Sequence, residues 1–570
     1  MTKYIFYVTI FLFSVQTSFS QKSDDENIGT EVINVVKPYK PSVSDAFKVK
    51  EKPEIMDDID LNKKELSYII FSAPVASTFT PSKGKAAVLD KQAPKKLYNN
   101  YASLAIGNYL NVLAEFYATL PMSSTDSFII GLNHHSAQGE IKEVQLDDKF
   151  YDTDLNLTFS KRDKGISYQI SGLFKHQQYN WYGTSYSLTD FQRANINASH
   201  TYLTGGLRGN IQLDNSYFKR GFLSFDRFWD TNEAAENSIL ITPEFKFEIL
   251  DADINFKTTI DYVAGSFGII SPEFEYSYLK TGVQPSYQFT QNDLNINIGA
   301  EFVFGIDTEN NKSDIYVYPK LNASYNLINN SVIAFGGVDG GLAQNSYKGF
   351  AEENKFLAPI LLIAPTHKQF DAFLGLKGNV TNLLSYEIKG SFLNEENKSM
   401  YLMNPVNDVN LQTDNYKKVN TFGVVYDDVN TLQLEGNLTV NMSNKYSIGI
   451  SGVYTNYKTD IQAHAWNLPE LKASLFSEFL IYEKWSGGVK VFYEGDRKDN
   501  LSSSTSIITE SIITLDGFFD ANAYINYNVT QRFTAFLKVN NIASQGYQKW
   551  QSYPIQQIQI LGGLKYKFDF

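Results

Sequence analysis

Cysteine is absent from the 570-residue sequence, which excludes disulfides, thiolate metal sites, thiol nucleophiles and a lipid-modified cysteine anchor. Histidine is scarce, with six in all. The adjacent pair His134 and His135 would face opposite ways on a strand, so joint metal ligation would need a loop there. No GxxxxGK[ST], HExxH or GxSxG pattern occurs, so phosphate-loop, zinc-protease and hydrolase-elbow chemistry lack their usual residues. The Asp and Glu residues are scattered and single out no acid–base pair. We therefore expect neither an enzyme nor a bound cofactor. Positive charge is not in excess either. Against 62 Asp and Glu stand 50 Lys and Arg, a net charge of −12, which sets nucleic acid aside as a partner because phosphate binding needs clustered Lys and Arg.

Long apolar runs are missing as well. The longest opens the chain, "MTKYIFYVTIFLFSVQTSFSQ", where Lys3 precedes an apolar stretch from Ile5 to Val15 and small residues Ser18 and Ser20 precede Gln21. That order predicts a cleaved secretory signal over residues 1–20, and the stretch is well short of the ~20 apolar residues a spanning helix needs. An exported chain with no helical span is periplasmic, secreted or an outer-membrane barrel.

What the sequence does have is aromatic side chains and alternation. Aromatics make up 15%, with 37 Tyr and 41 Phe, residues that favour strands and that form girdles at both interfaces of membrane barrels. In the closing stretch "QIQILGGLKYKFDF", Ile558, Ile560, Leu564, Tyr566, Phe568 and Phe570 share one parity, and Gln557, Gln559, Lys565, Lys567 and Asp569 share the other. Successive strand residues point to opposite faces, so one face is apolar and the other wet. The pattern recurs. Ile296, Ile298, Ala300, Phe302 and Phe304 oppose Asn295, Asn297, Gly299 and Glu301; Leu432, Leu434, Leu438 and Val440 oppose Gln433, Glu435, Asn437 and Thr439; and Tyr446, Ile448, Ile450 and Tyr454 oppose Ser447, Gly449, Ser451 and Val453.

Compact polar turns at 121–126, 161–165, 250–253, 290–293, 328–331, 442–446, 482–485 and 528–532 alternate with long segments at 179–198, 340–365, 394–418 and 496–511. Short turns at one end and long loops at the other are the habit of outer-membrane barrels. The expected fold is all-β, a transmembrane antiparallel barrel of about 22 strands over residues 100–570, which allows roughly 21 residues per strand and connection against the ~9–11 that cross a bilayer. Pro243, Pro285 and Pro319 interrupt strand-like stretches and are expected near the rim, at a strand start or at a bulge. Residues 21–99 differ: six of the 16 prolines (Pro38, Pro41, Pro53, Pro74, Pro81 and Pro94) lie there among Lys, Asp and Glu, which predicts an extended periplasmic segment.

The terminal region from "LDGFFDANAYINYNVTQRF" onward, with "VNNIASQGY" before the last loop, resembles the final strands of TonB-dependent outer-membrane receptors. The Tyr- and Asn-rich style and the Lys-Pro leader are similar to those of Bacteroidota proteins. The resemblance implies an outer-membrane location with the N-terminal segment and the C-terminus in the periplasm, contact with outer-membrane lipid, and use of Tyr566, Phe568 and Phe570 as a signal to barrel-assembly machinery. "EVINVV", residues Glu31, Val32, Ile33, Asn34, Val35 and Val36, resembles a TonB box that adds a strand to TonB or another periplasmic protein; the alternatives are an apolar patch in a tether or a strand docked on its own barrel.

Members of the family carry a folded plug domain, whereas about 79 residues separate the signal from the barrel here, and no plug is recognised among them. The lumen would then be filled by inward side chains, by loops such as 340–365 and 394–418, by the segment 68–89, or by another protein. Two aromatic loops, with Tyr179, Trp181, Tyr182 and Tyr186 in one and Tyr547, Trp550 and Tyr553 in the other, stack on an external molecule such as a glycan or, the favoured reading, pack as loops and girdle. Function is expected to be uptake or surface binding of a ligand. The alternative is a structural subunit of an assembly or secretion complex, bound to other outer-membrane subunits.

Overall fold

The computed structural model describes residues 96–570 apart from 185–186, 215, 250–251, 270–272, 405–419, 444, 483 and 501–511. The expected signal peptide, the 31–36 stretch and nearly all of segment 21–99 lie outside the described residues.

Alternation becomes a closed sheet. Twenty-two antiparallel strands pair with their neighbours around a ring, and the first, Asn100–Gly107, closes on the last, Gln559–Phe568, with Asn100 opposite Phe568 and Gly107 opposite Leu561. Closure removes the unpaired edge that a strand ending at the C-terminus would otherwise present. The apolar parity faces outward, as at Ile298, Phe302, Ile315 (77% exposed), Leu374 (71% exposed), Leu434 and Leu564. The wet parity faces the lumen, where Lys320 lies 3.1 Å from Glu301 and 2.8 Å from Asp339, each on a neighbouring strand. Apolar side chains this exposed on a folded wall are stable only against lipid, and charges kept to the lumen avoid the cost of entering it.

The strand ends that flank all eight compact turns foreseen from sequence fall at one end of the barrel, together with Asn100 and Phe568. At the opposite end lie the described long connections 138–149, 344–365, 460–470 and 541–558, together with the strand ends that flank 181–198, 404–421 and 495–517. One expectation shifts: residues 394–403 are not loop, because the strand Leu384–Met403 runs on and pairs with Phe422–Ser443 up to Met403 opposite Phe422.

The three prolines also depart from expectation, since all sit inside outward-facing ladders. Pro243 is paired with Gly221, Pro285 with Phe256 and Pro319 with Ala300. Toward the other neighbour the pairing breaks at each, between Ile241 and Glu244, between Val283 and Ser286, and before Leu321. A strand residue donates its N–H to one side only, so proline costs one ladder and leaves the other whole.

Candidate functional site

The largest cluster of buried apolar side chains among the described residues lies inside the long-loop end, where residues of the connection 344–365 pack against the wall. Asn345 ties its two ends together, its Nδ2 donating to the Ala364 carbonyl at 2.7 Å and to Thr366 Oγ1 at 2.9 Å. Ser346 caps a short helix, Tyr347–Glu353, by accepting from the Gly349 N–H at 2.9 Å. Tyr347, Phe350 and Ala351 then share one face, the i, i+3, i+4 stripe of a helix, and all three are buried.

That face meets a wall built from carboxylates and rings. Glu236 accepts the Tyr347 N–H at 2.6 Å, the Lys348 N–H at 3.2 Å and the Tyr276 hydroxyl at 2.7 Å, which satisfies two of the helix's orphan N–H groups. Asp230 Oδ2 accepts the Tyr347 hydroxyl at 2.7 Å, while its Oδ1 accepts from the N–H groups of Asn232 and Ala234 and so shapes the turn between strands Phe218–Asp230 and Ala234–Ile249. Lys348 Nζ lies 2.7 Å from Asp226 Oδ2. Glycine makes room for two of these partners, since a Cβ at Gly206 or Gly265 would collide with Asp226 or Tyr276. Burial, then the Asp230 carboxylate, holds the Tyr347 phenol well above its usual range, so it stays a donor.

The second half of the connection is fixed differently. The Lys355 carbonyl accepts from Trp181 Nε1 at 2.8 Å and from the Tyr202 hydroxyl at 3.1 Å. Phe422 N–H donates to the Phe356 carbonyl at 2.8 Å and Ala358 N–H to the Phe422 carbonyl at 2.9 Å, a backbone bridge to the strand Phe422–Ser443. Phe356 stacks on Tyr553 with ring centroids 3.6 Å apart, and Tyr182 meets the same Tyr553 edge-on at 5.2 Å. Trp181 in turn stacks on His200 at 4.1 Å, and His200 Nε2 lies 3.2 Å from Asp230 Oδ2.

Connection 541–558 is anchored by Arg497, whose guanidinium donates to the Lys549 carbonyl at 2.6 Å and the Gln548 carbonyl at 2.8 Å and covers the Phe518 ring at 5.4 Å. Phe518 stacks on Tyr547 at 3.6 Å. Burial pushes the Arg497 and Lys549 cations down and the Asp499 carboxyl up.

Of the aromatic residues named from sequence, Tyr179 stays on the strand Ile166–Asn180, stacked on Phe150 at 5.8 Å, and the others that are described belong to the inner packing, or lid, of the long-loop end. Trp181, Tyr182, Tyr547, Trp550 and Tyr553 are buried, which is the loop-packing alternative, and Tyr186 lies outside the described residues. His134 and His135 sit on the strand Asp126–Ala137 with separate partners, Thr153 and Ser136 for His134 and Asn111 for His135. Tyr566, Phe568 and Phe570 form a column of rings at the short-turn end, with centroids 6.0 and 5.4 Å apart. Sequence reasoning missed the latch itself, Asp226, Asp230, Glu236, Tyr347 and Lys348. Its trace is the helical spacing of Tyr347, Phe350 and Ala351 behind Ser346.

A closed 22-stranded antiparallel cylinder with an apolar outside is a transmembrane β-barrel. No protein-family model and no curated protein sequence matches the chain. Solved structures do share the fold. The FrpB iron transporter of Neisseria meningitidis is 10% identical at a TM-score of 0.62, covering 83% of this chain and 82% of that one. The ferric-catecholate import receptor Fiu of E. coli K12 is 13% identical at a TM-score of 0.59, with 83% and 82% covered. The pyoverdine outer membrane receptor FpvA of Pseudomonas aeruginosa is 12% identical at a TM-score of 0.60, with 84% and 79% covered.

Proposed function

We propose that this chain is an outer-membrane receptor of the TonB-dependent kind, which binds a ligand at its long-loop end and takes part in its uptake. What carries the reading is the 22-stranded barrel, whose fold is shared with receptors for ferric siderophores and with the copper transporter OprC. The short-turn end faces the periplasm, with both chain ends beside it. Residues 1–20 direct export, and residues 21–99 form a periplasmic segment from which Glu31–Val36 adds a strand to TonB or another periplasmic protein. Tyr566, Phe568 and Phe570 are read by the assembly machinery. The role is non-enzymatic.

The neighbours' cargo makes iron and copper complexes the first ligands to try. Cells that depend on this gene for growth on one such complex lose that growth when residues 30–36 are deleted. Unchanged growth with the deleted form at normal abundance in the outer membrane overturns the energised reading.

The lid supports a second reading. A lumen end packed with fully buried Tyr347, Leu357, Phe422 and Tyr553 suits a non-transporting structural subunit of an outer-membrane complex. Native pull-down separates the two, because that reading requires stoichiometric outer-membrane partners and the receptor reading does not.

A further inference from the structure

We propose that the segment 346–354 is a gate in the lumen, closed at rest and released at its latch with Asp226, Asp230 and Glu236, while the rest of the connection stays in place. This deepens the receptor reading and rests on the barrel being a passage.

The two halves of the connection are held by different means. From Lys355 onward the chain is fixed through its backbone: the Lys355 carbonyl is bonded by Trp181 and Tyr202, and residues 356–358 bridge to Phe422. At the other side Asn345 clamps the base to Ala364 and Thr366. Between these fixed points the helix is held to the wall at its start by groups that three carboxylates accept, the Tyr347 hydroxyl and N–H and the Lys348 N–H and ammonium, and at its end by the Glu353 carboxylate, which accepts the Tyr401 hydroxyl at 2.6 Å. The four hydrogen bonds from Tyr347 and Lys348 to the wall end on carboxylates, so a competing donor or cation that reaches Asp226, Asp230 or Glu236 can take the place of the helix there without breaking a strand pair. The turn 231–233 keeps Asp230 and Glu236 on adjacent strands, so both ends of the latch act together.

Opening would uncover the inward residue Val263, 3% exposed and buried in the same cluster as Tyr347 and Phe350. The chain has no cysteine of its own, so Val263→Cys in the full-length protein reports on the gate alone. Intact cells are treated with a membrane-impermeant maleimide, with Leu362→Cys, exposed on the fixed half at 59%, as a control for reagent access. The gate account expects slow labelling of Val263→Cys in the parent, about tenfold or faster labelling when Glu236→Gln or Tyr347→Phe with Lys348→Met is added, and an unchanged rate at Leu362→Cys. Heat-modifiable migration on gels checks that each barrel is folded; should the stronger variants misfold, Lys348→Met alone decides, with the same direction of change.

Unchanged labelling of Val263→Cys in folded release variants overturns the gate, as does parent labelling as fast as at Leu362→Cys. Faster labelling together with absent uptake of any complex leaves the gate standing and removes the receptor reading.

Discussion

The side-chain carboxamide of Asn108 takes the place of a peptide group beside Ile560. Its Oδ1 accepts the Ile560 N–H at 2.8 Å and its Nδ2 donates to the Ile558 carbonyl at 2.8 Å. The closing seam is thereby one step longer than the eight-residue strand Asn100–Gly107 provides. At the other end Asp569 does half the same task, accepting the Asn99 N–H at 3.0 Å. Strand groups near lipid have no water to turn to, so side-chain amides are the available substitutes. Asn108→Ala is expected to lower the stability of the vesicle-inserted barrel by about 1–3 kcal/mol, read as a lower urea midpoint. An unshifted midpoint would mean that the seam does not need the clasp.

The two faces of one strand should respond oppositely to the same change. On Leu294–Asp307, Phe302→Lys puts a charge on the lipid face near mid-strand and should cost about 2–4 kcal/mol in vesicle folding. Asn297→Lys, on the lumen face of that strand, should cost less than about 1 kcal/mol. Equal costs would contradict the assignment of faces.

Within the lid, Tyr553 is the shared contact of Phe356, Tyr182 and Phe422, and its hydroxyl donates to the Asn420 carbonyl at 2.6 Å. Tyr553→Ala should destabilise the lid by about 3–5 kcal/mol. Hydrogen exchange should show lost protection over 355–363, with the barrel strands unchanged.

Acidity should strengthen one part of the long-loop end. Asp499 lies in the small sheet of Arg497–Asn500 with Ile512–Leu515, where its carboxylate accepts the Met403 N–H and an Asn467 amide. Burial raises its pKa above the ordinary carboxylate value in spite of those bonds. A carboxyl whose folded pKa is raised binds its proton more tightly in the folded state, so stability rises as pH falls through that raised value toward the ordinary one. Exchange protection of Met403 and of this sheet, corrected for intrinsic rate, should grow on acidification from neutral pH, and Asp499→Asn should remove the dependence. Protection that falls with acid would show the opposite sign.

The barrel was legible because a strand crossing between oil and water must alternate. Ile296 to Phe304 against Asn295 to Glu301 is that rule written out, and each compact turn could be placed by its polar residues. The prolines were expected near the rim because a missing N–H leaves a ladder unpaired away from water, yet that loss falls on one ladder only, as Pro285 shows by keeping its pairing with Phe256. The lid was less legible for a different reason. Asp226, Asp230 and Glu236 look like any other lumen-facing acids along their strands, and nothing local marks them as partners of residues more than a hundred positions away such as Tyr347. The buried rings of Trp181 and Tyr553 announced packing without naming what they pack on.

The central claim is a cylinder with lipid outside and water within, and the strand Leu294–Asp307 tests it most directly. Single cysteines at successive positions 295–304, each carrying a fluorophore, are to be read in vesicles for quenching by brominated acyl chains and by aqueous iodide. The account predicts lipid quenching at 296, 298, 300, 302 and 304 and weak lipid quenching at 295, 297, 299, 301 and 303. Quenching that does not alternate, or that alternates with the opposite parity, would contradict it.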